Sequence, residues 1–173
     1  MLHTTVVPTP PGPLAIVLDD DGVVVASGFT DVDDQLGRLP DALKADGVAD
    51  DAAGSAAARA VRAYVDGDVS ALDDVPVRQP GGAFQQQVWD VMRRIPTGQT
   101  WSYAELAAKA GNPDAARAAG SACARNLVAP FVPCHRVVRT DGSLGGYYYG
   151  LDVKEWLLAH EGRPDDQLAF GPA

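Results

Sequence analysis

Residues 102–125 read Ser102-Tyr103-Ala104-Glu105-Leu106-Ala107-Ala108-Lys109-Ala110-Gly111-Asn112-Pro113-Asp114-Ala115-Ala116-Arg117-Ala118-Ala119-Gly120-Ser121-Ala122-Cys123-Ala124-Arg125. The opening Ser-x-x-Glu is a capping box, in which the serine and glutamate side chains satisfy free amides at a helix start. It predicts a helix running to about Ala110. Gly111-Asn112-Pro113 breaks that helix, because proline lacks the amide needed to continue it. A second helix is expected from about Asp114 to Arg125. Helix, short glycine-containing turn and helix fit a helix-turn-helix, and fit a plain helical hairpin in a core equally well. Small side chains fill positions 115–124 almost completely, with Arg117 the one long side chain among them. A flat surface of that kind lets another backbone come close, and one arginine on it suits entry into a DNA groove.

Upstream, Phe84, Val88, Val91, Met92 and Ile95 recur at helical spacing, and Pro96 stops that helix. Arg78-Gln79-Pro80-Gly81-Gly82 carries the composition of a linker. Before it, Pro13 to Leu18 and Gly22 to Phe29 read as strands joined by a hairpin turn at Asp19-Asp20-Asp21-Gly22. A helix is expected from about Ala56 to Val65, stopped by Gly67. The expected fold class is α+β. An N-terminal α/β scaffold domain, a small sheet with a helix, spans 1–78. A linker at 79–82 leads to a mostly helical C-terminal domain over 83–173, which contains the helix-turn-helix. No reactive constellation stands in the first half.

The chain of 173 residues is 46% hydrophobic and 21% charged, within ordinary globular values. No apolar run approaches the roughly 20 residues that cross a bilayer. The N-terminus lacks a basic segment followed by an apolar one, so no signal peptide is expected. A cytoplasmic protein without a membrane partner follows as the expectation. The net charge of −9 argues against nucleic-acid binding when taken whole. Its distribution says otherwise. Residues 85–140 hold seven basic and three acidic side chains, and the rest of the chain holds seven and twenty. A locally basic face on an acidic body can bind DNA with a small salt dependence.

The two cysteines, Cys123 and Cys134, are too few for a disulfide framework and do not match zinc-ligand spacing. No metal and no cofactor is expected. Pro133-Cys134-His135-Arg136-Val137 sets a thiol beside an imidazole, and an imidazole can take a thiol proton directly or through water. In an extended segment adjacent side chains point to opposite sides, so direct contact requires a bend or a bridging water. A cysteine with apolar flanks also serves as simple packing.

Pro133 to Val137 resembles the active-site signature of the O6-alkylguanine-DNA alkyltransferases. The resemblance continues in order through Phe84-Gln85-Gln86-Gln87-Val88-Trp89, Ile95-Pro96-Thr97-Gly98, Ser102 to Ala107, Gly111-Asn112-Pro113, Arg117-Ala118-Ala119-Gly120, Asn126 and Leu157 to Gly162. It covers residues 83–162 closely and the first half only loosely. It implies irreversible transfer of an alkyl group from O6-alkylguanine in DNA to Cys134, once per molecule, with O4-alkylthymine as a further lesion. It implies that His135 deprotonates Cys134 through a water and is oriented by Glu161. Asn126 would act as a hinge, and Tyr103 would press on a phosphate and lend a proton to the departing base. Arg117 would fill the space left by a flipped guanine. Ala118, Gly120, Ser121 and Arg125 would line the minor groove of double-stranded DNA. Tyr147, Tyr148, Val137 and Pro133 would line the base pocket. A monomer is implied, with cooperativity on DNA left open.

Two departures from the family pattern stand out. Leu127 replaces the proline that commonly follows the hinge asparagine. Tyr148 and Tyr149 occupy positions where small residues are usual, which bears on bulky alkyl groups. Competing readings are a lesion sensor without transfer, a helix-turn-helix regulator and a cysteine hydrolase. A sensor would lack the acceptor cysteine, and a regulator would not need the Cys134, His135 and Glu161 set.

Overall fold

The computed structural model describes residues 1–162. The end of the expected C-terminal domain, 163–173, lies outside the described residues. The chain is mixed α/β and divides into two compact units. One comprises Met1–Gln79 together with Leu127–Phe131; the other comprises Pro80–Asn126 and the chain from Val132 onward.

The N-terminal unit is a four-stranded sheet with three helices. Strands β1 (Leu2–Val7), β2 (Leu14–Leu18), β3 (Val24–Gly28) and β4 (Val48–Ala49) are ordered β3-β2-β1-β4. The expected hairpin is present: β2 and β3 pair antiparallel, with Ile16 opposite Ser27. Its turn is tied by the Asp19 carboxylate, which accepts from the amides of Asp21 and Val23. All residues of β2 and β3 are buried, so these strands read as continuous apolar runs rather than alternating ones. Strand β1, which pairs antiparallel with β2 (Thr5 opposite Ile16), was not apparent from the sequence. Its Thr4-Thr5 pair is buried among apolar residues and disguises the run. Helices α1 (Val32–Gly37) and α2 (Asp41–Lys44) were also not foreseen; both are too short to show periodicity. Helix α3 (Ala56–Val65) matches its expected bounds, with Ser55 capping the Ala58 amide. Leu2, Val17, Val25, Ala26 and Leu39 form a core that Leu36 and Leu127 flank.

The second unit carries four α-helices and a two-stranded sheet among the described residues. Helix α4 (Ala83–Met92) ends three residues before Ile95, so Pro96 is not its immediate stop; Arg93 caps it by turning back to the Trp89 and Val91 carbonyls. Gly81 is required beside it, since a Cβ there would stand 2.7 Å from the Trp89 ring. Strand β5 (Trp101–Ser102) pairs parallel with β6 (Val137–Val138). Helix α5 (Tyr103–Lys109) opens on Ser102, whose hydroxyl accepts from the Glu105 amide at 3.1 Å, one half of the expected capping box. Helix α6 (Ala116–Ala124) begins two residues later than expected. The Asn112 side chain captures the Asp114 amide and holds 112–115 in a turn. Trp89 donates its indole N–H to the Ala122 carbonyl near the end of α6 at 2.9 Å, satisfying an acceptor that a finishing helix leaves open. Helix α7 (Leu151–His160) packs Leu158 against Val138 and Leu144. No helix among the described residues is long and apolar enough to cross a membrane.

Candidate active site

The segment from Cys134 to Arg136 is not extended. It forms a single 3-10 turn, with the Arg136 amide donating to the Pro133 carbonyl at 3.0 Å. The chain therefore bends at the Cys134–His135 pair, one of the two alternatives that the sequence left open. A 3-10 turn separates successive side chains by about a third of a revolution rather than half. Cys134 is 9% exposed, and His135 and Arg136 are fully enclosed. Strand β6 follows at once and places Val137 in the core.

Glu161, at the end of α7, divides its carboxylate between two partners. Oε2 lies 2.8 Å from His135 Nε2, and Oε1 accepts from Arg136 Nε at 2.8 Å. Arg136 also donates to the Ile95 carbonyl at 2.9 Å. Burial alone would raise the Glu161 carboxyl, but the His135 and Arg136 partners outweigh it and hold the group well below the ordinary carboxylate range. A carboxylate only accepts, so the proton on Nε2 belongs to His135, and Nδ1 carries the lone pair. That Nδ1 is buried and has no hydrogen-bond partner from the protein. Burial also lowers the His135 pKa, in spite of the carboxylate, so the imidazole is neutral at pH 7. A neutral imidazole with its lone pair free and its other nitrogen fixed by a carboxylate is arranged as a general base.

Tyr103, the first residue of α5, is half-buried, and its hydroxyl pKa is raised to about 12. Desolvation is the larger cause, followed by the nearby Cys123 and Cys134 sulfurs. The phenol therefore stays protonated and can donate. A Cβ on Gly145 would come within 3.2 Å of that hydroxyl, and Gly145 adopts φ +69°, so the loop passes the phenol only as glycine. On α6, Arg117, Ala118 and Ser121 are exposed, as is Arg125 at its end, while Ala119 and Ala122 are buried. Gly120 turns instead toward the Tyr103 ring, to which a Cβ would be 3.8 Å. Asn126 is buried and donates from Nδ2 to the Val132 carbonyl at 2.8 Å.

The loop before α7 carries three tyrosines. Tyr149 packs edge-on against Tyr147 at 5.8 Å and against Tyr148 at 4.9 Å. Tyr148 is 59% exposed. Pro133 is buried directly before Cys134.

A family model described as 6-O-methylguanine DNA methyltransferase, DNA binding domain, matches residues 83–163. The crystal structure of Mycobacterium tuberculosis O6-methylguanine methyltransferase superposes with TM-score 0.75 and 34% identity, covering 93% of each chain. The chain belongs to this family. A Mycobacterium tuberculosis OGT structure in complex with DNA matches at TM-score 0.74 and 31% identity, over 96% of this chain and 95% of that one. The Shigella flexneri methylated-DNA–protein-cysteine methyltransferase is 45% identical over 102 residues, 59% of this chain. That match spans 60% of the relative's length.

Two contributors to this methyltransferase-family site were not found by sequence reading. Arg136 was treated only as part of the signature, yet it shares the carboxylate that fixes His135. Lys154, wholly enclosed on α7, donates to the carbonyls of Val137 (2.8 Å), Leu144 and Gly146 (3.2 Å). Burying an ammonium costs several kcal/mol unless its donors are met, and three carbonyls meet all of them. The result ties the tyrosine loop to the acceptor segment. A lysine between Val153 and Leu157 on an apolar helix face was the available signal. Among the described residues no cluster of three or more His, Cys, Asp or Glu side chains could hold a metal.

Proposed function

We propose that this chain repairs DNA by moving an alkyl group from guanine O6 to Cys134 Sγ, in one irreversible turnover. The observation that carries the reading is the buried His135–Glu161 pair, 2.8 Å apart, whose histidine directly follows Cys134. Cys134 yields its proton to His135 Nδ1 through a water. The thiolate attacks the alkyl carbon, a C–S bond forms, and the C–O6 bond breaks. Its electron pair goes to the guanine, which takes up a proton supplied by Tyr103; Tyr103 regains a proton from solvent, to which His135 releases the one it took from Cys134. The product is a thioether, which water does not cleave readily, so the protein is consumed. No cofactor enters this chemistry.

The alkyl carbon of a stacked guanine cannot reach a buried sulfur, so the base must leave the duplex at a cost of a few kcal/mol. We assign Arg117 to the space it vacates. Helices α5 and α6 act as a helix-turn-helix against the minor groove of double-stranded DNA, through Ala118, Gly120, Ser121 and Arg125. Asn126 is the hinge ahead of the acceptor segment. Tyr147, Tyr148, Val137 and Pro133 form the pocket for the extruded base, and the protein acts as a cytoplasmic monomer.

Intact mass spectrometry after incubation with a duplex containing O6-methylguanine tests the transfer. One methyl group is expected on Cys134, abolished in Cys134→Ser. A protein that binds the lesion duplex and stays unmodified would be a recognition module instead.

A further inference from the structure

The acceptor segment is reached by a detour. The chain leaves the second unit after Asn126, runs through the N-terminal unit as Leu127–Phe131, and returns at Val132. Val128, Ala129 and Phe131 are at most 2% exposed, so the backbone polar groups of this stretch need partners from the protein. Two side chains from distant parts of the sequence help to supply them. Ser27, on β3 and fully buried, donates its hydroxyl to the Ala129 carbonyl at 2.8 Å, and its amide donates to the Leu127 carbonyl at 2.8 Å. Gln79, also buried, accepts the Leu127 amide on Oε1 at 2.8 Å. Ser27 pairs with Val128 as an isolated parallel bridge, so the detour lies against β3 at that point. Leu127 is one of the two departures from the family pattern, and a proline there would have no amide for Gln79 to accept.

Cys134 follows Phe131 by three residues. Displacement at an alkyl carbon requires the sulfur in line with the C–O bond at roughly 3–3.5 Å, and small misplacements are costly. We propose that Ser27 and Gln79 are positioning residues for Cys134: by hydrogen-bonding the backbone of Leu127 and Ala129, they fix the Leu127–Phe131 segment and so set where the acceptor sulfur stands. This inference rests on the alkyl-transfer reading above.

Ser27→Ala and Gln79→Leu in the full chain test it, with Val25→Ala as a control that loosens the same strand without removing a hydrogen bond. Three quantities are read: single-turnover methyl transfer across duplex concentrations, carbamidomethylation of Cys134 by iodoacetamide followed by peptide mapping, and the thermal midpoint. Both variants are expected to lower the maximal transfer rate about tenfold. The half-saturating duplex concentration should stay the same, and the iodoacetamide rate at Cys134 should rise. Ser27→Thr, which keeps the hydroxyl, retains the rate. Val25→Ala, at an equal or larger fall in midpoint, leaves both rates near wild type. If Ser27→Ala does not fold, Gln79→Leu carries the comparison. Wild-type rates in both variants, or equal slowing by Val25→Ala, overturns the proposal. If the wild-type chain transfers no methyl, the alkyl-transfer reading fails, and the iodoacetamide rates decide on their own whether Ser27 and Gln79 hold Cys134 in place.

Discussion

Glu161 makes two hydrogen bonds at once, and each constrains a different property of its neighbours. The bond to His135 Nε2 selects the tautomer with a lone pair on Nδ1. His135 and, to a smaller degree, the bond from Arg136 keep the carboxylate ionised despite its burial. Glu161→Gln removes the charge and keeps the shape. An amide can present either oxygen or nitrogen to the imidazole, so the tautomer is no longer enforced. Methyl transfer is expected to fall about a hundredfold, within the range general-base catalysis supplies, while duplex affinity stays within about twofold of wild type. Stopped-flow transfer kinetics alongside equilibrium duplex binding would check this, and an unchanged rate would remove Glu161 from the mechanism. The same substitution leaves the Arg136 guanidinium short of its anionic partner, which typically costs about 3 kcal/mol or more. Stability must therefore be measured beside the rate.

Helix α6 shows how an element can be read from composition. Its buried positions are Ala119 and Ala122, and its exposed positions include Arg117, Ala118 and Ser121. A helix this poor in large side chains gains little from burial, so its stability comes from close approach and from the Trp89 bond to its Ala122 carbonyl. The outer face is then flat, with Arg117 projecting. Arg117→Ala should slow repair of a lesion duplex by tenfold or more on the order of the stacking it removes, and leave transfer from the free alkylated base unchanged. Equal loss on both substrates would show that Arg117 does not act in flipping. The element on the other side of the site, the loop before α7, was less legible. Its three tyrosines pack edge-on with Tyr149 in the middle, and its base is held by a lysine that the sequence places on an apolar face.

For the whole molecule, buried ionisable groups determine how stability responds to acid. The folded-state pKa of His135 lies below its ordinary 6.5, and that of Glu161 below its ordinary 4.5. In both cases the unfolded chain binds more protons as the pH falls, so the stability they contribute is complete above those values and is lost beneath them. His3 acts in the opposite sense. Its two ring nitrogens face Asp20 and Asp51, its pKa is raised, and its contribution is lost as the pH rises through that value. Urea unfolding of the wild type should show falling stability below pH 6.5 and a steeper fall below pH 4.5. Combining His135→Gln with Glu161→Gln should flatten that decline, and an equally steep profile in the double variant would contradict the assignment. Much of the site was legible beforehand, because capping boxes, glycine turns and an ordered run of signature residues are local features. The sequence by itself determined the β2–β3 hairpin, α3, the two helices after Ser102 and the adjacency of Cys134 and His135 along the chain. Only the tertiary structure decided that Cys134 begins a 3-10 turn, that Arg136 and Lys154 serve the site from buried positions, and that Leu127–Phe131 belongs to the N-terminal unit. The physical reason is separation along the chain. Helix and turn signals act over three or four residues, whereas Ser27 meets Ala129 only because a buried backbone carbonyl must find a donor, and the nearest one lies about a hundred residues away.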